Sequence, residues 1–244
     1  MLPESSEVAC FSFPIPVDAR HPGRIGHLRS GRAIYEFLRM AEDEIVAVAY
    51  EYSHIVRTDI RNFYRSIYTH SIAWAIHGKP FIREKKNLHD YTLLGNRLDS
   101  LFQNANDGCT NGIPIGPIVS DIVAEIVVAA VDVRFTEALK QKHLQCQAVR
   151  FKDDYRLLVT SEADGIEAVK CLQTALKEFN LELGEEKTEV LALPDGLFRP
   201  WVSMYHAARP RKRGSYAWRD FRELYLAVLR IDRQCLAPAS STGS

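Results

Sequence analysis

Two adjacent carboxylates, Asp153 and Asp154, stand between an apolar stretch containing Ala148 and Val149 and a second one, Leu157-Leu158-Val159. Apolar residues on both sides of a short polar pair predict two strands joined by a tight turn, with Asp at the bend. Adjacent carboxylates repel each other and are costly to bury unless a cation holds them. A hairpin tip carrying both therefore asks for a divalent metal, the alternative being an ordinary solvated turn.

A third acid upstream shifts the balance. Ser53 to Ile60 reads as a short strand ending in Asp59, and Arg61 to Tyr68 as a strand-to-helix turn opening an amphipathic helix to about Ile76. By itself Asp59 can be the N-cap of that helix. Beside the Asp-Asp hairpin it becomes part of a carboxylate cluster able to hold two hard cations roughly 3.5–4 Å apart, the arrangement used for phosphoryl and nucleotidyl transfer. Mg²⁺ is expected, because it takes oxygen ligands and keeps waters that substrate phosphates can displace; Mn²⁺ stays open.

Thr58-Asp59-Ile60-Arg61-Asn62-Phe63-Tyr64 resembles the first catalytic motif of reverse transcriptases. Gly112-Ile113-Pro114-Ile115-Gly116-Pro117 is similar to their Gly-x-Pro-x-Gly loop, and Phe151-Lys152-Asp153-Asp154 to their Tyr-x-Asp-Asp hairpin, with Phe for Tyr. Leu183-Gly184-Glu185-Glu186-Lys187 resembles the next motif, and the four follow the family's order over residues 50 to 195. Ser120-Asp121-Ile122-Val123-Ala124-Glu125 after the loop gives the match a bacterial flavour, retron-like or of the abortive-infection, phage-defence type.

The resemblance implies an RNA-directed DNA polymerase that adds dNTPs to a 3′-hydroxyl. It places Asp59 and Asp153 as bridges between both metals, Asp154 in support, and the Ile60 carbonyl in a metal shell. Lys187 would steady the leaving pyrophosphate, or else is an exposed Lys in a turn. Tyr64 matches the aromatic gate beneath the sugar and implies deoxynucleotides, the alternative being a core aromatic. Gly112, Pro114 and Gly116 would meet nucleotide or template, the glycines by permitting close backbone approach. Ile115 stands where retroviral relatives usually have Gln, which opens the rival of synthesis without a copied template. A rival of another class is a non-catalytic nucleic-acid-binding or oligomeric scaffold with the same fold. A nucleotide cyclase with a related palm fits Tyr64 and the glycine loop poorly.

The order strand, helix, long helix, hairpin, helix, strand predicts an α+β fold, a right-hand polymerase palm whose antiparallel sheet carries helices on one face. The long helix should run from Ile118 to Lys140 with Val119, Ile122, Val123, Ile126, Val127 and Val131 on its apolar face, and Asp121 favoured there by the helix dipole. Another is expected from Gly165 to Phe179, capped by Ser161 or Asp164, and a returning strand from Lys187 to Leu193. Residues 1–50 read as partial, reduced fingers with a helix beginning near Gly31, and 51–198 as the palm with a fingers-like segment at 77–111. In that segment Tyr91, Leu94, Leu98, Leu101 and Phe102 have helical spacing and are expected in the core. Residues 199–244 read as a basic loop, a thumb-like helix and a disordered tail. Arg211, Lys212, Arg213 and Trp218 are nucleic-acid-binding candidates there, by phosphate attraction and base stacking, or else a solvated loop.

Charge is balanced at 31 basic and 31 acidic residues, so binding of an RNA or DNA template and primer must come from local patches. Five dispersed cysteines without a Cys-x-x-Cys pair fit free thiols in a reducing compartment, and a cytoplasmic location is expected. No apolar run is long enough to span a membrane. A structured non-coding RNA, a homo- or hetero-oligomer, and domains supplied from elsewhere stay open as partners.

Overall fold

Ala148, Leu157 and Val56 stand side by side on three neighbouring strands, and their burial sets the register of the sheet. A slip of one residue would turn every one of them to the opposite face. The structure, a computed structural model, describes residues 8–10, 12, 45–197, 204–205, 207–209 and 217–235. The chain forms two compact units, Met1–Pro194 and Asp195–Ser244.

In the first unit the strands are β1 (Val8–Cys10), β2 (His54–Asp59), β3 (Cys146–Phe151), β4 (Asp154–Val159) and β5 (Glu189–Ala192), arranged β1-β3-β4-β2-β5. Four of them pair antiparallel, as the order of elements predicts. The expectation of a wholly antiparallel sheet needs one correction, because β1 joins the edge parallel to β3. A parallel neighbour requires a long crossover, and three residues without a turn signal gave the sequence reading nothing to register.

The helices of this unit are α1 (Phe63–Ser66), α2 (His70–His77), α3 (Lys79–Ile82), α4 (Leu94–Ala105), α5 (Ile118–Gln141) and α6 (Glu162–Glu178). Single 3-10 turns lie at Ala49–Glu51 and Glu185–Lys187. Val56, Tyr155 and Leu157 pack with Val127, Val131 and Phe135 of α5 and Leu172 and Leu176 of α6 in one cluster. Ile55 and Leu158, which point the other way along their strands, are also fully buried, so this end of the second face is covered too. The expected N-terminal helix falls outside the described residues, apart from the helical residues 45–48.

Three expectations change in detail. The helix foreseen from Arg61 to Ile76 breaks into α1 and α2, because the Ile67 carbonyl accepts the Gly112 amide (2.9 Å) and Tyr68 bridges Asn111. On α5, Val123, Val127 and Val131 are buried, but Val119 is exposed, while Val128 and Phe135 join the core. On α4, Phe102 is buried and Leu98 packs against the core, whereas Tyr91, just before the helix, and Leu94 and Leu101 on it are exposed. That helix turns Gly95, Asn96, Asp99 and Phe102 inward. Gly95 decides the face, since a Cβ there would lie 2.7 Å from the Ala73 Cα of α2.

α6 starts where expected in kind: the Ser161 hydroxyl accepts the Asp164 amide at 3.1 Å, a side-chain N-cap. In the second unit α7 (Trp218–Cys235) stacks Trp218 on Phe221 and Phe221 on Tyr225, with centroids 5.4 and 6.4 Å apart. All three rings are exposed. Among the described residues no helix is long and apolar enough to cross a membrane.

Candidate active site

β2 delivers Asp59 at its last position, in register with Asp154 at the first position of β4. β3 and β4 are joined by the two-residue turn Lys152-Asp153, with Lys152 in the left-handed region at φ 55°. The Ile60 amide donates to the Asp153 carbonyl (3.0 Å), which ties the end of β2 to the turn. Asp59, Asp153 and Asp154 thus line one open cleft of about 420 Å³, together with Arg57, Glu186 and Lys187. Asp59 is the end of a strand and does not cap the helix that follows, whose N-cap position is Asn62.

The electrostatics of the cleft favour a cation. Burial pushes the Asp153 carboxyl above its ordinary value, and the charge of Asp59 adds to the rise. Asp59 Oδ1 is buried and accepts no hydrogen bond among the described residues. Lys187 Nζ donates to the other oxygen, Oδ2, at 2.5 Å, and that bond with the charge of Asp59 raises the lysine's pKa. The Lys187 side chain is still about two-thirds exposed, at 65%. Its reach to Asp59 places it at the rim of the cleft, with much of the side chain in solvent. Among the described residues no three His, Cys, Asp or Glu side chains form a ready-made metal cage. Mg²⁺ characteristically uses one or two carboxylates and completes its shell with water and substrate phosphate. An unsatisfied buried carboxylate oxygen beside a second acid therefore fits such an ion.

Gly184 has a role that its motif position alone did not reveal. Its amide donates to the Asp59 carbonyl (2.8 Å), and a Cβ on it would collide with Asp59 Oδ1. The absent side chain leaves room for the carboxylate.

Tyr64 sits on α1, turned out of β2 by Asn62 at φ 48°, a left-handed conformation that Asn tolerates well. The glycine loop is pinned to the same helix: the Ile113 amide donates to the Tyr64 carbonyl at 2.8 Å. Gly112 adopts φ 88°, and a Cβ there would lie 3.2 Å from the Arg65 carbonyl oxygen. Gly112 and Tyr64 are therefore neighbours, whereas Ile115 and Gly116, further along the loop, are exposed, with Pro114 half-buried between. The Tyr64 hydroxyl donates to Asp121 Oδ1, and Lys152 Nζ approaches the same hydroxyl at 3.4 Å and the carboxylate at 3.7 Å. Asp121, read from the sequence as a helix-dipole residue, is a partner of the candidate gate.

Beneath the hairpin lies a buried ion network. The fully buried Arg150 side chain pairs with Glu125 (2.5 Å) and Asp132 (2.8 Å) of α5, and donates to the Lys152 carbonyl at 3.0 Å. The Tyr155 hydroxyl donates to Asp132 at 2.7 Å. The turn that carries Asp153 is thereby braced from below. An Arg beside the hairpin motif and acids on the apolar face of α5 were the available signals, but nothing in their spacing says that they meet.

The structure brings together Asp59, Ile60, Asp153, Asp154 and Lys187, with Tyr64 beside the hairpin turn through Lys152 and Gly112 against Arg65 of α1. Trp218 lies on α7 in the second unit, and Arg211, Lys212 and Arg213 lie outside the described residues.

An α+β sheet with acids at a strand end and at the neighbouring hairpin tip is the palm of a right-hand polymerase. Residues 20–216 match the family described as reverse transcriptase (RNA-dependent DNA polymerase), and the chain belongs to it. No curated protein matches the chain. Among solved structures, apo telomerase from Candida tropicalis is similar at 13% identity and TM-score 0.43, over 69% of this chain and 33% of that one. Telomerase from Candida albicans in complex with a TWJ fragment of telomeric RNA is similar at 11% identity and TM-score 0.43, over 86% and 42%. A Candida tropicalis telomerase truncated from its C-terminal domain gives 14% identity and TM-score 0.45, over 70% and 37%. The chain thus spans between about a third and two-fifths of the length of these structures.

Proposed function

We propose that this chain carries the catalytic palm of an RNA-directed DNA polymerase that adds deoxynucleotides to a primer 3′-hydroxyl. The observation that supports it most is the meeting of Asp59, Asp153 and Asp154 in one cleft, with a buried Asp59 oxygen left unsatisfied. Asp59 and Asp153 would hold two divalent ions, Mg²⁺ first and Mn²⁺ second, with the Ile60 carbonyl and Asp154 in support. Bound there, such ions supply Lewis-acid stabilisation and ease loss of the primer hydroxyl proton. Lys187, close to Asp59, supplies a positive charge for the leaving pyrophosphate. Tyr64, beside the hairpin, excludes a 2′-hydroxyl by its ring, and Gly112, Pro114 and Gly116 form the backbone surface for nucleotide and template.

RNA or DNA template, primer and dNTPs are the partners of this reading, and Trp218 with Arg211, Lys212 and Arg213 the auxiliary nucleic-acid contacts. A bacterial antiviral role rests on the likeness of the glycine loop and its following helix to retron-like and abortive-infection enzymes, and a cytoplasmic location on the five dispersed cysteines. A structured RNA, a second copy or further domains are partners that this reading leaves open. Ile115, 66% exposed in the glycine loop, favours untemplated synthesis as the second reading, since it offers a template no amide. Retention of the acids speaks against a scaffold, because clustered unused carboxylates only destabilise.

The test is incorporation of each labelled dNTP with Mg²⁺, on a primed RNA template and without template, alongside Asp153→Ala. Template-following products that vanish in the variant support reverse transcription, and template-indifferent products that vanish support the second reading. Products that persist in Asp153→Ala refute the metal site.

A further inference from the structure

Three residues that are far apart in sequence meet beside the turn that carries Asp153. Tyr64 comes from α1, Asp121 from the first turn of α5 and Lys152 from the turn itself. Asp121 is buried, at 7% exposed, and a buried carboxylate is costly unless hydrogen-bonded and paired. The Tyr64 hydroxyl and the Lys152 ammonium meet that requirement. Had the helix dipole been the sole reason for an acid here, an exposed Asp would have served.

Tyr64 packs against the margin of the core, and its phenol end has polar partners of its own. α1 is only four residues long, and its link to the glycine loop runs through the Tyr64 carbonyl rather than the ring. The ring leans on Phe63 at a centroid distance of 5.0 Å, and the phenol end is held by Asp121, with Lys152 5.8 Å from the ring centroid. A ring that selects by contact works only while its position is defined to a fraction of an ångström. A tilting ring would leave room for a 2′-hydroxyl.

We propose that Asp121 is a specificity-determining positioning residue: by holding the Tyr64 hydroxyl, with Lys152 as counter-ion, it fixes the ring that selects the sugar. The inference rests on the reading of Tyr64 as the sugar gate, and it makes selection a property of three side chains rather than one. It also links the gate to the metal-bearing hairpin, because Lys152 and Asp153 share a turn.

The test is a double-mutant cycle read as a ratio, kcat/KM for dNTP over kcat/KM for the matching rNTP. General damage to folding lowers both rates and leaves the ratio in place. Asp121→Ala should lower the ratio roughly three- to tenfold, the equivalent of one lost hydrogen bond. Tyr64→Phe, which keeps the ring and removes the hydroxyl, should lower it by a similar factor. Adding Asp121→Ala to Tyr64→Phe should produce little further change, since the two substitutions break the same contact. Asp121→Asn keeps an acceptor oxygen and should give an intermediate ratio, and it serves if the Ala variant fails to fold. Equilibrium binding of dNTP and rNTP with Ca²⁺ repeats the ratio without turnover. An unmoved ratio in both Asp121 variants, or an Asp121→Ala effect that persists undiminished on Tyr64→Phe, overturns the inference and leaves the proposed function standing. A wild-type chain that binds and incorporates neither nucleotide overturns both.

Discussion

Arg150→Met removes the cation that pairs with Asp132 and Glu125 among the described residues, and its cost can be worked from the contacts. The arginine is fully buried and engages Asp132, itself 3% exposed, through Nε at 2.9 Å and Nη2 at 2.8 Å. Removing one partner of a buried pair costs about 3–5 kcal/mol, because the other charge is stranded. The bond from Nη1 to the Lys152 carbonyl adds about 1 kcal/mol, which the apolar packing of Met partly offsets. The expected loss is therefore about 3–5 kcal/mol near neutral pH, a large share of a typical domain's stability. Urea denaturation followed by tryptophan fluorescence measures it, with an unchanged m-value as the check that the end states are comparable. Asp132→Leu added to Arg150→Met should recover much of the loss, since no buried Asp132 charge then lacks its partner.

The pH dependence supplies an independent sign. In the intact protein burial pushes the Asp132 carboxyl up while Arg150 pulls it down. Burial outweighs Arg150 even in the intact protein, and without the arginine the rise is larger, so folded Asp132 keeps a proton over a pH range where the unfolded chain has already released it. A carboxyl raised in the folded state contributes stability that is lost as pH rises through its folded pKa. The deficit of Arg150→Met should accordingly be smaller near about pH 5 than near about pH 8. A loss below about 1 kcal/mol, or a deficit that grows on acidification, would refute the stranded-charge reasoning.

Gly184→Ala should depress nucleotide incorporation on the order of a hundredfold, since a displacement of about 1 Å in a reacting group has that scale; the melting temperature should move little, and full activity would show that Asp59 yields freely. Asp153, raised by burial and by the charge of Asp59, should titrate above its ordinary value. In EDTA its contribution to stability is present at low pH and lost as pH rises through that raised value, whereas saturating Mg²⁺ should reverse the slope, because the ion binds the charged form. Melting curves across pH with and without metal check this, and identical slopes would count against metal binding at Asp153. Tyr64→Ala should admit ribonucleotides, read as a rise in rNTP incorporation relative to dNTP; an unchanged sugar preference would remove Tyr64 from the gate.

Local pattern was enough for the hairpin, the strand ending in Asp59 and the two long helices, because each is written in a short window. Apolar runs flank a polar turn at residues 152–153, and Ser161 caps α6 by a bond to a residue three positions on. The acids of the candidate site were legible for the same reason, since each stands at the end or bend of an element that can be read by itself. What local pattern left open is which of several apolar faces is buried. α5 has apolar residues all round, so only its packing against α2, α6 and the sheet selects Val128 and Phe135 over Val119. On α4 the close approach of Gly95 to Ala73 made the choice, and exposed Leu94 and Leu101. The parallel strand β1, the Arg150 ion network and the Tyr64–Asp121–Lys152 cluster belonged wholly to the tertiary structure. Tyr64 and Asp121 are 57 residues apart, and Arg150 and Glu125 are 25 apart on different elements. The sequence by itself determined the hairpin, the strand ending in Asp59, the two long helices and the acids that the strand and the hairpin carry, because propensity and capping act over a few residues. Only the fold decided which charges meet, because a buried ion pair is selected by the shared cost of leaving water, and that cost arises once the elements pack.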